Sequence, residues 1–313
     1  MSRVELQLYS CVFFLVLCTA ANTGAQTTRQ IMSPIPTTPC NTSTGLYCEI
    51  YGSGDPILFV HGLGASLYTW RFMVAPLQTN YQVILIDLKG FGKSPKPHDN
   101  NYSIQDQVEL LYQFIQEKNL TNLTLVGNSY GGGVSLLLSL KLIEKDPGRL
   151  TKLILLDSAG YKKPIPSYVK LLRCSVLGWL ALRIVSNKSL AHRILKLSYY
   201  NPELITEPQI AAYAAPLGMK GAKRALQKVA QQAIPKDIDK LIAKYPTIKV
   251  PALILWGDHD KVIPIDTGNK LKAALPCSKL ITIPKTGHVP QEESPNATIP
   301  LIQDFLQNPI PCP

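Results

Sequence analysis

The sequence predicts an α/β protein with a mostly parallel central sheet flanked by helices and a helical cap inserted late in the chain. Three observations predict it. Six short, near-continuous apolar runs recur along the 313 residues, helical stretches separate most of them, and residues 161–249 carry helical patterning with no strand run. Apolar runs that do not alternate are the mark of strands buried on both faces, as in a parallel sheet covered by crossover helices.

Taken in order, residues 1–25 read as a secretory signal peptide. A polar start containing Arg3 precedes the apolar run "CVFFLVLCTA", and "NTGAQ" supplies small residues for cleavage after Ala25. The run is too short to span a bilayer comfortably, and an uncleaved anchor is the alternative. Residues 26–45, rich in Thr and Pro, form an extended N-terminal segment. The first part of the core covers 46–160. "LYCEIYGSGD" alternates and then turns, "PILFVHG" is a strand ending at His61-Gly62, and "YQVILIDLKGFGKS" is a strand running through Asp87 into a glycine loop. "IQDQVELLYQFIQEK" is an amphipathic helix, "LTLVGNS" a third strand of this kind with the helix "VSLLLSLKLIEK" behind it, and "LTKLILLDSAG" a fourth. The cap, 161–249, is broken by Pro164, Pro166, Pro202, Pro208, Pro216 and Pro235. The core resumes over 250–313 with the strands "PALILWGDHD" and "SKLITIP".

The composition, 46% hydrophobic and 17% charged, is globular. The cap holds sixteen Lys or Arg against four Asp or Glu, a net of +12, while the whole chain is +11. The basic character therefore belongs to the cap. With its interleaved apolar residues the cap suits an anionic membrane surface; the alternative is a cap packed over a pocket with a solvated basic face. No nucleic-acid-binding motif is present, so nucleic acid is not an expected partner. Six N-x-[ST] sequons, at Asn41, Asn101, Asn119, Asn122, Asn187 and Asn296, agree with a secreted glycoprotein. Five cysteines lie beyond the signal; Cys40 and Cys48 are near in sequence and Cys312 can tie the C-terminal tail back to Cys277, so these two disulfides are expected, with Cys174 free.

In parallel sheets binding residues gather at the carboxyl ends of strands. Those ends carry His61-Gly62-Leu63, Asp87, Ser129, Asp157, Asp258, Asp260 and His288. Ser129 sits in G-x-S-x-G at a strand-to-helix corner, a turn that strains the serine and holds its hydroxyl clear of the sheet. A serine hydroxyl needs a base to become a nucleophile, and histidine is the usual one. Of five histidines, His288 follows the last strand and is the candidate. The acid that orients it is Asp260, favoured over Asp258, which would brace its own loop; Asp157 is a third choice. The order Ser129, Asp, His288 and the intervening insertion agree with this assignment. Two amides are needed for an oxyanion, and Tyr130 and Leu63 are placed to supply them. No Cys/His cluster has metal-ligand spacing, so no metal or cofactor is implied.

"HGLGAS", "DLKGFGKS", "GNSYGG", "WGDHDKVIP" and "GHVPQEESP", in this order, resemble the successive signatures of the α/β-hydrolase superfamily, in its branch with a helical cap, over residues 46–308. The resemblance implies that Leu63 lends an oxyanion amide and that Asp260 is the acid. Relatives that act on epoxides or haloalkanes use Asp as nucleophile, so Ser129 argues against both. "GNS" is also similar to ring-cleavage diketone hydrolases, but those carry an aromatic after the histidine where this chain has Val289. The expected activity is hydrolysis of carboxylic esters of small or lipid-like acyl substrates. The rivals are a C–C bond hydrolase or lyase on the same three residues, and a non-catalytic ligand-binding homologue.

Overall fold

The computed structural model describes residue 40 and residues 42–162 and 165–312. The expected signal peptide, residues 26–39 of the extended segment and Asn41 lie outside the described residues. Seven strands form one sheet: β1 (Cys48–Tyr51), β2 (Asp55–Val60), β3 (Tyr81–Ile86), β4 (Leu123–Asn128), β5 (Leu150–Leu156), β6 (Ala252–Gly257) and β7 (Ser278–Ile283). Their spatial order is β1-β3-β2-β4-β5-β6-β7, with β1 antiparallel to β3 and every other pair parallel. The helices are α1 (Arg71–Leu77), α2 (Ile104–Glu117), α3 (Tyr130–Lys145), α4 (Ser167–Arg173), α5 (Ser175–Ile184), α6 (Asn187–Ser198), α7 (Glu207–Leu217), α8 (Ala222–Gln232), α9 (Ile238–Ile242), α10 (Asp266–Ala274), α11 (Pro290–Glu293) and α12 (Pro295–Gln307).

The two-residue period of a strand sends neighbours to opposite faces. Leu58 and Val60 of β2 join a core with Leu125, Leu138, Ile254 and Trp256. Ile57 and Phe59 join a second core with Trp70, Val126, Ile154 and Phe305. Every residue of β4 and β6 is buried, which is why both read as unbroken apolar runs. The chain passes leftward from β2 to β3, then rightward from β4 onward, so the order reverses between β2 and β4. The carboxyl ends at such a reversal leave a crevice, because the connections diverge to either side.

Between β5 and β6 the described chain is helical, α4 to α9. Two adjacent carboxylates, Glu292 and Glu293 of α11, tie these helices to the sheet. Glu292 accepts from Thr69 Oγ1 (2.6 Å), from Arg71 Nη1 (2.6 Å), from Gln209 Nε2 of α7 (2.8 Å) and from the Tyr213 hydroxyl of α7. Glu293 accepts from the amides of Gly287 (2.6 Å), Asn201 (2.8 Å) and Tyr200 (3.1 Å). Glu292 is fully paired in a buried site, so its removal takes a carboxylate partner from Arg71, Thr69, Gln209 and Tyr213 at once. Glu292→Ala is expected to cost about 3–5 kcal/mol of stability, read as a lowered urea midpoint; a loss under about 1 kcal/mol would contradict this account.

Cys40 bonds Cys48 and Cys277 bonds Cys312, the two expected pairings, and Cys174 is free and exposed. The sequon asparagines at 101, 119, 122 and 296 are exposed and Asn187 is half-buried. No helix among the described residues is long and apolar enough to cross a membrane.

Candidate active site

Ser129 occupies the corner between β4 and α3 with φ 54° and ψ −120°, left-handed backbone for a residue that carries a Cβ. The corner is held from several sides. The Ser129 amide donates to Leu156 O (3.0 Å), and the Ser129 carbonyl accepts from the amides of Ala159 (2.9 Å), Gly132 (3.0 Å) and Gly133 (3.2 Å). The flanking glycines are sterically required. A Cβ on Gly131 would lie 2.2 Å from Val60 O, and one on Gly127 would lie 2.5 Å from Gly131 O. The strain is thus imposed by surroundings that leave the turn no other path.

Three loops converge here. His288 Nε2 is 2.8 Å from Ser129 Oγ, and His288 Nδ1 is 2.7 Å from Asp260 Oδ2. With Asp260 accepting at Nδ1–H, Nε2 is the ring nitrogen left to accept from the serine hydroxyl. The other Asp260 oxygen accepts from the amides of Val262 (2.7 Å) and Ile263 (3.1 Å), which fixes the carboxylate plane. The His288 loop is anchored by its own amide on Ser198 O of α6 (2.6 Å) and by Asn128 Nδ2, which donates to His288 O and Leu156 O (3.1 Å each). All three side chains are shielded from water, which strengthens each hydrogen bond between them.

The other strand-end residues have different surroundings. Asp258 is partly exposed and bonds the Thr286 amide (3.2 Å) and His259 Nδ1 (2.6 Å), bracing its loop. Asp87 accepts from the amides of Leu67 and Lys93 (2.7 Å each). His61 is fully buried; its Nδ1–H donates to Gly62 O (2.8 Å) and its Nε2 accepts from the Leu88 amide (3.1 Å), so it joins two loops. Burial holds its pKa below the usual histidine value, in keeping with a neutral ring. Leu63 and Tyr130 flank Ser129 from β2's loop and α3's first turn, and neither amide has an acceptor among the described residues.

Asp157, at the end of β5, takes part in a way its position alone does not reveal. It is fully buried with φ 44°, and Oδ1 accepts from the Gly257 amide (2.9 Å). Atoms of Asp157, Asp260 and His288 lie within 4.8 Å of one another. This is the one cluster among the described residues with the composition to hold a cation; Asp260, His288 and Asp157 Oδ1 are engaged with each other or with backbone amides, while the buried Asp157 Oδ2 has no hydrogen-bond partner. Burial, and then the charge of Asp260, push the Asp157 pKa well above the usual carboxylate range. The raised value favours the neutral acid at Asp157 over a second anion beside Asp260.

The sign of the pH effect follows. A raised folded-state pKa gives a contribution fully present below the unfolded carboxylate value of about 4 and lost as pH rises through the folded value. Asp157→Asn stays neutral at every pH, so as pH rises above about 4 its urea midpoint is expected to fall less than that of the natural protein. Parallel pH profiles for the two proteins would contradict this.

Two cavities meet at Ser129. The larger, about 760 Å³ and open to solvent, is walled by Leu63, Leu137, Ile165, Val169, Ile234 and Val262 among others. The smaller, about 400 Å³, lies on the His288 side against Thr69, Asn128, Tyr213 and Val289, and no Lys or Arg lines it.

The alpha/beta hydrolase fold family model matches residues 55–180 and 170–295. Lipase 1 of Psychrobacter immobilis is 31% identical over 251 residues, covering 79% of this chain and 75% of that protein. The 2-hydroxy-6-oxo-2,4-heptadienoate hydrolase of Pseudomonas putida is 26% identical over 261 residues, covering 82% and 90%. An esterase structure from Exiguobacterium antarcticum superposes with a TM-score of 0.71 over 84% of this chain and 96% of that one; at 22% identity it bears on the fold alone. A seven-stranded sheet in this order, a helical insertion after β5 and a family match across both halves lead to one conclusion: the chain belongs to the alpha/beta hydrolase fold family.

Proposed function

We propose that this chain is a secreted serine hydrolase that cleaves carboxylic esters with a small or lipid-like acyl group. The observation that carries the reading is the hydrogen-bonded chain Ser129–His288–Asp260 at the floor of an apolar cavity. His288 Nε2 takes the proton as Ser129 Oγ attacks the ester carbonyl, and Asp260 holds the ring and stabilises the imidazolium. The amides of Leu63 and Tyr130 receive the developing oxyanion. His288 returns the proton to the departing alkoxide, leaving an acyl group on Ser129. Water, deprotonated by His288, then releases the acid. The larger cavity suits an apolar acyl chain, and the smaller one the alcohol.

The dienoate relative brings a second substrate to mind, one with a carboxylate at the far end of a C–C bond to be cut. A buried carboxylate needs a cation or several donors. The smaller cavity has neither Lys nor Arg, although Thr69, Asn128, Ser198 and Tyr213 line it and Lys162 lines the larger one, so the ester reading is favoured by Val289, which stands beside His288 where the ring-cleavage hydrolases carry an aromatic. Secretion is supported by two disulfides and by four exposed sequon asparagines, and we propose glycans on Asn101, on Asn296 and on one of the close neighbours Asn119 and Asn122.

A nitrophenyl ester series tests the reading. The expected result is turnover that improves with acyl length until the apolar cavity is filled, with the gain in kcat/KM. Turnover of a ring-cleavage dienoate with inertness to every ester would overturn it.

A further inference from the structure

The outer surface of the α4–α5 segment is unlike the rest of the molecule. Nine large hydrophobic side chains are exposed among the described residues, and six of them fall between Leu171 and Ile184: Leu171, Val176, Leu177, Trp179, Leu180 and Ile184, at 43–73% of full exposure. Helix α5 packs on α8 through Gly178 and Leu182 and is pinned there by Gln227 Nε2, which donates to the carbonyls of Cys174 (3.2 Å) and Ser175 (3.0 Å). The remainder of an apolar helix therefore faces outward. Scattered exposed apolar residues need no explanation, but a contiguous ridge of them does.

The charge around the ridge narrows what covers it. Residues 161–202 contain eight Lys or Arg and no Asp or Glu. Lys170, Arg183, Arg193 and Lys196 are exposed, and the Arg183 guanidinium lies 4.5 Å over the Trp179 ring. A second copy of the chain docked through this ridge would set like charges against each other, because a twofold contact uses the same patch on both sides. An anionic bilayer satisfies both features, taking the apolar side chains below its headgroups and the basic ones among its phosphates.

We propose that the α4–α5 ridge is a docking surface for anionic phospholipid membranes. The same helix faces both ways: Leu171 of α4 points outward while Val169 lines the cavity that reaches Ser129. Docking thus sets the wall of the substrate cavity against the bilayer. That consequence rests on the proposed hydrolytic reading, whereas the docking itself does not.

The chain carries its own reporter. Of its three tryptophans, Trp70 and Trp256 are fully buried and Trp179 is half-exposed. With vesicles of phosphatidylcholine containing phosphatidylserine, tryptophan emission is expected to shift to the blue. The protein should co-sediment roughly tenfold more strongly than with pure phosphatidylcholine, and less in about 1 M salt. A variant carrying Val176→Ser, Leu177→Ser and Ile184→Ser is expected to lose that binding by at least roughly tenfold, while its turnover of a short soluble ester and its unfolding midpoint stay unchanged. Equal binding to neutral and anionic vesicles would overturn the proposal, as would full binding by the triple variant. So would a dimer in light scattering that the triple variant dissociates, with no vesicle binding; that result would assign the ridge to a second copy. Loss of ester turnover in the natural protein with vesicle binding intact would instead count against the hydrolytic reading alone.

Discussion

Ser129→Ala is expected to abolish ester turnover by roughly 10⁴- to 10⁶-fold in kcat while leaving the fold intact. The hydroxyl is the group His288 Nε2 meets at 2.8 Å, and no other hydroxyl shares that contact. Alanine keeps the Cβ, so the backbone strain at φ 54° is unchanged and the stability should be too. Ser129→Gly separates the two effects. Glycine adopts left-handed backbone without penalty, so this variant should be as inactive as alanine yet more stable by about 1–2 kcal/mol. Activity that survives in either variant would show that the reaction runs elsewhere; a glycine variant no more stable than alanine would show that the corner is not strained.

Asp260→Asn carries the second large effect. Asparagine keeps the shape but can present an NH₂ group to His288 Nδ1, which favours the tautomer that cannot take the serine proton. A fall of roughly 10⁴-fold in kcat is expected, with KM little changed. The comparison that gives this weight is Asp258→Asn. Asp258 lies two residues away, is partly exposed and bonds the Thr286 amide and His259. Its replacement should change kcat by no more than roughly threefold, as for surface groups in general. Reversed magnitudes would mean that the two carboxylates exchange roles on the working enzyme.

The sheet was legible because each buried strand wrote itself as an unbroken apolar run, and the corner because glycine is needed where β4 and α3 nearly touch. The residues Ser129, His288 and Asp260 could be picked out because strand ends converge by topology, whatever the sequence distance. Other features left no local mark. Glu292 looks like an ordinary helix-end acid, and its partners Thr69 and Gln209 lie 223 and 83 positions away. Asp157 reads as one more strand-end carboxylate, and only burial beside Asp260 raises its pKa. Asn128 is hidden in the serine motif, yet its amide group holds the histidine loop. Helix α5 is apolar on nearly every side, so no periodicity told which side faces outward. The antiparallel pairing of β1 with β3 likewise depends on a neighbour that the sequence does not adjoin.

The most direct measurement is labelling with a fluorophosphonate probe followed by peptide mapping. Phosphorus takes the place of the ester carbonyl, so only an activated hydroxyl beside a base and oxyanion donors reacts quickly. The account predicts a single adduct on Ser129, formed rapidly by the natural protein and slowly by Asp260→Asn. An unlabelled Ser129, or an adduct on any other serine, would contradict it.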